Sequence, residues 1–104
     1  MKSTKPDLGD RAESHLDDLL LAISAAKSTH KLKEFLEDLC TPSELRSMAD
    51  RWLVAKLLKD GIPYRTIYER TGVSTATITR VARSMSYGSG GYTTVLSQTQ
   101  EAQS

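Results

Sequence analysis

The segment from Tyr64 to Arg83 is the part of the sequence that is most informative about function. It reads YRTIYERTGVSTATITRVAR. At about 100° per residue of an α-helix, its second half places small, hydroxylated and basic side chains on one face. Hydroxyls can contact phosphates or bases, small methyls can contact thymine, and arginine can pair with guanine or phosphate. This face predicts a surface that a helix presses into the major groove of DNA, and it consists of Ala76, Thr79, Arg80 and Arg83.

Two short helices joined by a tight turn would position these side chains. The sequence predicts one helix from Tyr64 to about Thr71 and another from Thr75 to about Ser86. Gly72 suits the left-handed conformation that ends a helix, and Ser74 can cap the next one. Together they have the spacing of a helix-turn-helix over about residues 64–86. The inward-facing residues of the pair would be Ile67, Thr71, Ile78, Val81, Ala82 and Met85.

The remaining sequence predicts helices and no strand. A first helix runs from about Asp10 to Lys27, with Leu16, Leu19, Leu20 and Ile23 on one stripe. A short second helix carries the apolar pattern of residues 32–39. A last, weak helix covers residues 93–100, and we expect residues 101–104 to be frayed. The segment between Tyr87 and Tyr92 is too rich in glycine for a helix. The fold class is therefore all-α, with about six helices.

The third helix has the sharpest start signal. Thr41 is the predicted N-cap, Pro42 takes the first helical position, and Glu44 closes a capping box. The helix should end near Asp60, before Gly61. Apolar side chains surround most of its circumference, whereas a helix with one face in solvent shows a single stripe. We therefore expect this helix to be covered on several sides, as in an intertwined homodimer.

Composition places these helices in one globular domain over residues 1–104. Apolar residues make up 38% and charged residues 26%, with a net charge of +1. Residues 1–40 carry six basic and eight acidic side chains, whereas residues 41–88 carry eight basic and four acidic ones. A polyanion should therefore meet the middle of the chain. We expect a cytoplasmic protein that does not enter membranes, because no apolar stretch could span one, no secretory signal is visible and Cys40 is the single cysteine.

Enzyme and metal sites find no support in the spacing of the reactive residues. Asp17 and Asp18 are adjacent, so they point to different helix faces and do not form a carboxylate pair. His15 and His30 lack the spacing of metal ligands. No pair of residues has the spacing of a nucleophile and its base, so we expect no enzymatic activity and no metal. The alternative to DNA binding is a dimeric helical module whose helix-turn-helix corner binds protein.

The stretch LCTPSELRSMADRW, followed by a helix-turn-helix containing TATITR, resembles the Trp repressor family. The YGSGGY segment that follows is similar to the YerC/YecD-type, Trp repressor-like branch. This resemblance implies six helices, an intertwined homodimer and a repressor-type transcriptional regulator that binds double-stranded DNA at a pseudo-palindromic operator. Phosphates would be held by Tyr64 and Arg83. Bases or bridging waters would be contacted by Arg65, Thr75, Ala76, Thr77 and Thr79.

The resemblance also implies a place for a corepressor. Two arginines of the family sandwich this ligand, and they correspond to Arg51 and Arg80. Thr41 and Ser84 correspond to residues near its polar end. Family members that respond to tryptophan carry glycine where this chain has Val81, and two extra methyl groups would occupy space that the indole needs. We therefore expect a ligand other than tryptophan, or no corepressor at all.

Overall fold

The computed structural model of the protein describes the backbone of residues 8–103 and the side chains of residues 12–99. This part of the chain contains six helices and no strand, as the sequence predicts. It divides into two compact units, of which the first ends at Pro42 and the second begins at Ser43. A single domain over residues 1–104 stays a prediction. The helices are α1 (Leu8–Ala25), α2 (Thr29–Leu39), α3 (Pro42–Lys59), α4 (Tyr64–Thr71), α5 (Thr75–Tyr87) and α6 (Gly91–Gln103).

The first unit contains α1 and α2, whose described side chains are all at least partly exposed. On α1, Leu19 and Ile23 are half-buried, whereas Leu16 and Leu20 are 53% and 50% exposed. α2 begins at Thr29, before the apolar pattern, because the Ser28 hydroxyl accepts a hydrogen bond from the Lys31 N–H at 3.1 Å. Ser28 is therefore the N-cap of this helix.

The second unit has a core of seven buried apolar residues from α3, α4, α5, α6 and the turn before α5. Ile67, Ile78, Val54 and Val81 are its largest fully buried side chains. Of the predicted inward face of the α4–α5 pair, Ile67, Ile78 and Val81 are confirmed as buried, and the other three residues are half-buried, namely Thr71, Ala82 and Met85. The complete core consists of Val54, Ala55, Ile67, Val73, Ile78, Val81 and Leu96.

α3 begins at Pro42, as predicted, and ends at Lys59, one residue before the predicted end. Gly61 follows with a φ of 79°, the left-handed conformation that favours glycine. The capping box of Thr41 and Glu44 stays a prediction. Only Val54 and Ala55 of this helix are buried within the chain, while Met48 and Leu53 are 43% and 37% exposed. The helix therefore carries apolar surface on several sides, as its sequence indicates.

α6 begins earlier and ends later than predicted. Gly91 and Tyr92 form its first turn, and it continues to Gln103, so three of the four residues expected to be frayed are helical; Ser104 lies outside the described residues. The Tyr92 ring stacks on Trp52 of α3, with ring centroids 6.5 Å apart and planes 13° from parallel. Leu96 follows in the core at 3% exposure. These tertiary contacts offset the low helix propensity of glycine.

Candidate nucleic-acid interface

The outer face of α5, together with Gly88 directly after the helix, lines one open depression of about 430 Å³. Its basic and small members are exposed, as the helical spacing predicts. Arg80 and Arg83 form no ion pair with any other described residue, and no acidic side chain lines the depression. The surface therefore offers two free guanidinium groups beside hydroxyl and methyl groups. Its lining residues are Ala76, Thr79, Arg80, Arg83, Ser84, Tyr87 and Gly88.

Local chemistry fixes the start of α5. Gly72 ends α4 with a φ of 74°, and its N–H donates to the Tyr68 carbonyl. The Thr71 hydroxyl donates to the Ile67 carbonyl at 2.7 Å and accepts from the Val73 N–H at 3.0 Å. The Ser74 hydroxyl accepts from the Thr77 N–H at 3.2 Å, which makes Ser74 the N-cap, as predicted. Ile78 and Val81 are buried on the opposite side of α5, so its outer face points to solvent.

Thr75 and Thr77 lie in different surroundings, although the sequence predicts base contacts from both. Thr75 is exposed at the first position of α5. Thr77 is half-buried, and its hydroxyl accepts a hydrogen bond from the Ser74 hydroxyl at 3.0 Å. Thr77 also lines a second depression, of about 230 Å³, at the turn between α4 and α5, together with Ser47, Asp50, Arg51, Gly72, Val73 and Ser74.

On α4, Tyr64 and Arg65 are exposed in the first turn. The Arg65 Nε lies 3.5 Å from the Glu69 Oε2, one helical turn further along. Arg65 is therefore the one predicted DNA-contacting arginine that already has a charged neighbour in the described part of the chain.

The predicted ligand residues do not form a single cluster. Arg80 and Ser84 share the depression on the outer face of α5, whereas Arg51 lines the depression at the α4–α5 turn. Val81 lies in the core at 1% exposure and lines neither depression. Thr41 belongs to the first unit, whereas the other predicted ligand residues belong to the second. The two arginines expected to face each other thus line separate depressions.

Two features of the second unit were not predicted as site residues. Tyr87 is 84% exposed at the end of the outer face of α5, and its spacing of four residues from Arg83 and seven from Arg80 could have revealed it. An apolar groove of about 590 Å³ runs beside Trp52 and Tyr92. Since Tyr92 was expected outside any helix, the sequence carried no signal for this groove. Its other lining residues are Ser84, Gly88, Ser89, Gly91 and Val95.

Other kinds of site find no support in the part of the chain that the structure describes. No group of three histidine, cysteine, aspartate or glutamate side chains there could hold a metal ion. None of the described helices has the length and apolar character needed to cross a membrane.

Comparison with known proteins places the chain in a family. The family model described as Trp repressor protein matches residues 14–100. The chain belongs to the Trp repressor family. It is 40% identical over 88 residues to the uncharacterized protein YerC of Bacillus subtilis (strain 168), with 85% of each chain covered. This similarity supports the YerC-type branch.

Two solved structures share the fold. A TrpR-like protein from Eubacterium eligens ATCC 27750 superposes with a TM-score of 0.80 at 40% identity, covering 84% of this chain and 90% of the other. A candidate Trp repressor from Staphylococcus aureus gives a TM-score of 0.82 at 36% identity, covering 92% and 96%. Trp repressor proteins are DNA-binding transcriptional regulators, and the sequence predictions of family and all-α fold are confirmed.

Proposed function

We propose that this member of the Trp repressor family is a homodimeric, repressor-type transcriptional regulator that binds a pseudo-palindromic site in duplex DNA. The observation that carries the proposal is the outer face of α5, where Arg80 and Arg83 have no charged partner among the described residues and no acidic neighbour lines the depression. A face of this kind complements the phosphates and base edges of a major groove. An enzymatic role is not part of the proposal.

The roles within the interface follow from position and chemistry. Thr75, Ala76 and Thr79 lie in the N-terminal half of α5, the part of a recognition helix that contacts base edges. Arg83, one turn further on, and Tyr64 at the start of α4 contact phosphates. Arg65 contacts a base, and Thr77 does so through a bridging water, because its hydroxyl already bonds to Ser74.

The homodimer is proposed because apolar side chains remain exposed along the single chain. Leu16 and Leu20 of α1 and Met48 and Leu53 of α3 are 37–53% exposed. A second copy of the chain would cover such residues and add the burial that a chain of this length lacks. Two-fold symmetry would place the two α5 helices in major grooves about 34 Å apart.

We propose that L-tryptophan is not the corepressor of this protein. Val81 packs with Ile78 and Val54 in the core, so α5 is anchored to the rest of its unit by apolar contacts of its own. A helix held in this way needs no ligand to fix its orientation. The protein therefore binds DNA without a corepressor, or responds to a ligand other than tryptophan.

A salt titration of DNA binding tests the proposal. Duplex fragments that the protein selects from genomic DNA serve as the probe, and log K should fall linearly with log salt concentration. Arg83→Ala should weaken binding to all sequences and reduce the salt slope by roughly one unit. Lys33→Ala is the matched control, because it removes the same charge from an exposed position on α2. Failure to select or bind duplex DNA would favour the protein-interaction module instead.

A further inference from the structure

Arg65 differs from the other arginines of α4 and α5 in having a charged neighbour. Its Nε lies 3.5 Å from the Oε2 of Glu69, whereas Arg70, Arg80 and Arg83 form no ion pair with a described residue. The side chains of Arg65 and Glu69 are 89% and 61% exposed, so both face solvent. The single acidic side chain of α4 is thus placed against the one arginine of this helix that is predicted to contact a base.

The contact with Glu69 leaves the terminal Nη nitrogens of Arg65 available for DNA. Glu69 approaches the Nε side of the guanidinium, and the terminal Nη nitrogens carry the remaining N–H donors. Guanine presents O6 and N7 in the major groove, and arginine contacts both acceptors together. A carboxylate at Nε restricts the side chain while leaving such a contact available, so less rotamer freedom is lost on binding.

Helix stability is a weak explanation for the pair. Exposed ion pairs at this spacing contribute little, and an acidic residue C-terminal to its basic partner is the less favourable order. A carboxylate beside a DNA-binding surface also repels phosphates, which lowers affinity for every sequence. A role of Glu69 in discriminating between DNA sequences therefore explains its presence better than a role in affinity.

We propose that Glu69 is a positioning residue that orients Arg65 toward one base pair of the site and thereby increases sequence preference. The inference rests on the proposed DNA-binding function. Binding is measured with the full chain on a duplex selected by the parent protein. Arg65→Ala first identifies the base pair at which sequence preference changes. The measured quantity is then the preference among the four possible base pairs at that position.

The experiment is a double-mutant cycle of Arg65→Ala and Glu69→Gln. In the parent background, we expect Glu69→Gln to lower preference at that base pair by roughly threefold to tenfold, part of the discrimination that an arginine–guanine contact provides. The same variant should raise affinity for all sequences because a negative charge is lost. In the Arg65→Ala background, Glu69→Gln should raise overall affinity and leave preference unchanged.

Two further variants separate positioning from charge and from helix stability. Glu69→Asp keeps the charge on a shorter side chain, so preference should fall without a general gain in affinity. Glu37→Gln is the matched control: it breaks the Lys33–Glu37 pair of α2, which has the same spacing, the same order and a 3.7 Å contact, and it should alter neither quantity.

The inference is overturned if Glu69→Gln leaves preference unchanged, or lowers it equally when Arg65 is absent. It is also overturned if Arg65→Ala changes preference nowhere while the parent protein still selects a DNA sequence, a result that leaves the proposed function standing. A parent protein that selects no sequence would overturn both.

Discussion

The two units of this chain differ in what holds them together. The second unit buries seven apolar residues, and Ile67, Ile78 and Val54 have no exposed surface. In the first unit, no described side chain is buried, and Leu16 and Leu20 remain half exposed on α1. The second unit therefore has its own hydrophobic core, whereas the first exposes apolar side chains that only contact with another surface would bury.

The polar contacts differ in the same way. On α2, Lys31 and Lys33 pair with Glu34 and Glu37 at 3.9 and 3.7 Å, in exposed positions where ion pairs contribute little to stability. In the second unit, hydroxyl groups of Thr71 and Ser74 bond to backbone groups at the ends of α4 and α5. Such bonds fix the path of the chain. Under the proposed function, the second unit would position the DNA-binding face and the first would supply the surface for assembly.

Leu20→Glu should have the largest effect, since it places a charge on the apolar stripe of α1. If a second chain covers this stripe, the charge would be buried without a partner, at a cost of roughly 3–5 kcal/mol. The parent protein should sediment as a dimer with a melting temperature that rises with protein concentration. The variant should sediment as a monomer and melt at a lower temperature.

Ser14→Glu is the control for this prediction, because Ser14 is exposed and lies on the opposite side of α1 from Leu16 and Leu20. It should leave the dimer intact. A parent protein that sediments as a monomer, with a melting temperature independent of concentration, would contradict the proposed homodimer.

Ile67→Ala tests the core of the second unit and should have the next largest effect. Ile67 has no exposed surface, and large-to-small changes at such sites cost about 2–5 kcal/mol in unfolding free energy. The matched variant is Tyr68→Ala on the same helix, where half of the side chain is exposed and the expected cost is about 1 kcal/mol. Urea denaturation measures both. Equal losses for the two variants would show that the second unit lacks the core described here.

The local structure of the α4–α5 pair was predictable because neighbouring residues determine it. Gly72 takes the left-handed conformation, Ser74 caps α5 through the Thr77 N–H, and helical spacing directs Ile78 inward and Arg83 outward. Each of these features depends on residues within one or two helical turns. The family could be predicted from the same segment together with residues 39–52.

Contacts between distant parts of the sequence were not predictable. The start of α6 depends on the stacking of Tyr92 against Trp52, which no local pattern reveals, so the helix was expected two residues later. Resemblance placed Arg51 opposite Arg80. In the structure, the two arginines line separate depressions, and their role in ligand binding stays a prediction.

Gly88→Ala should have the smallest of these effects, because it tests one turn of the second unit. A Cβ atom at Gly88 would overlap the carbonyl oxygen of Ser84, to which the Gly88 N–H is hydrogen-bonded at 2.9 Å. The backbone would have to shift, and overpacking of this kind costs about 1–3 kcal/mol. The shift would also displace α6, whose Leu96 fills the core.

Gly91→Ala is the control, since a Cβ atom there meets no atom within 4 Å and alanine favours the helix, so its effect should be neutral or stabilising by up to about 1 kcal/mol. Thermal unfolding of both variants at one protein concentration measures the difference. Equal melting temperatures would show that α6 does not depend on the close approach of Gly88 to Ser84, and the second unit would then owe its stability to the buried apolar side chains without this turn.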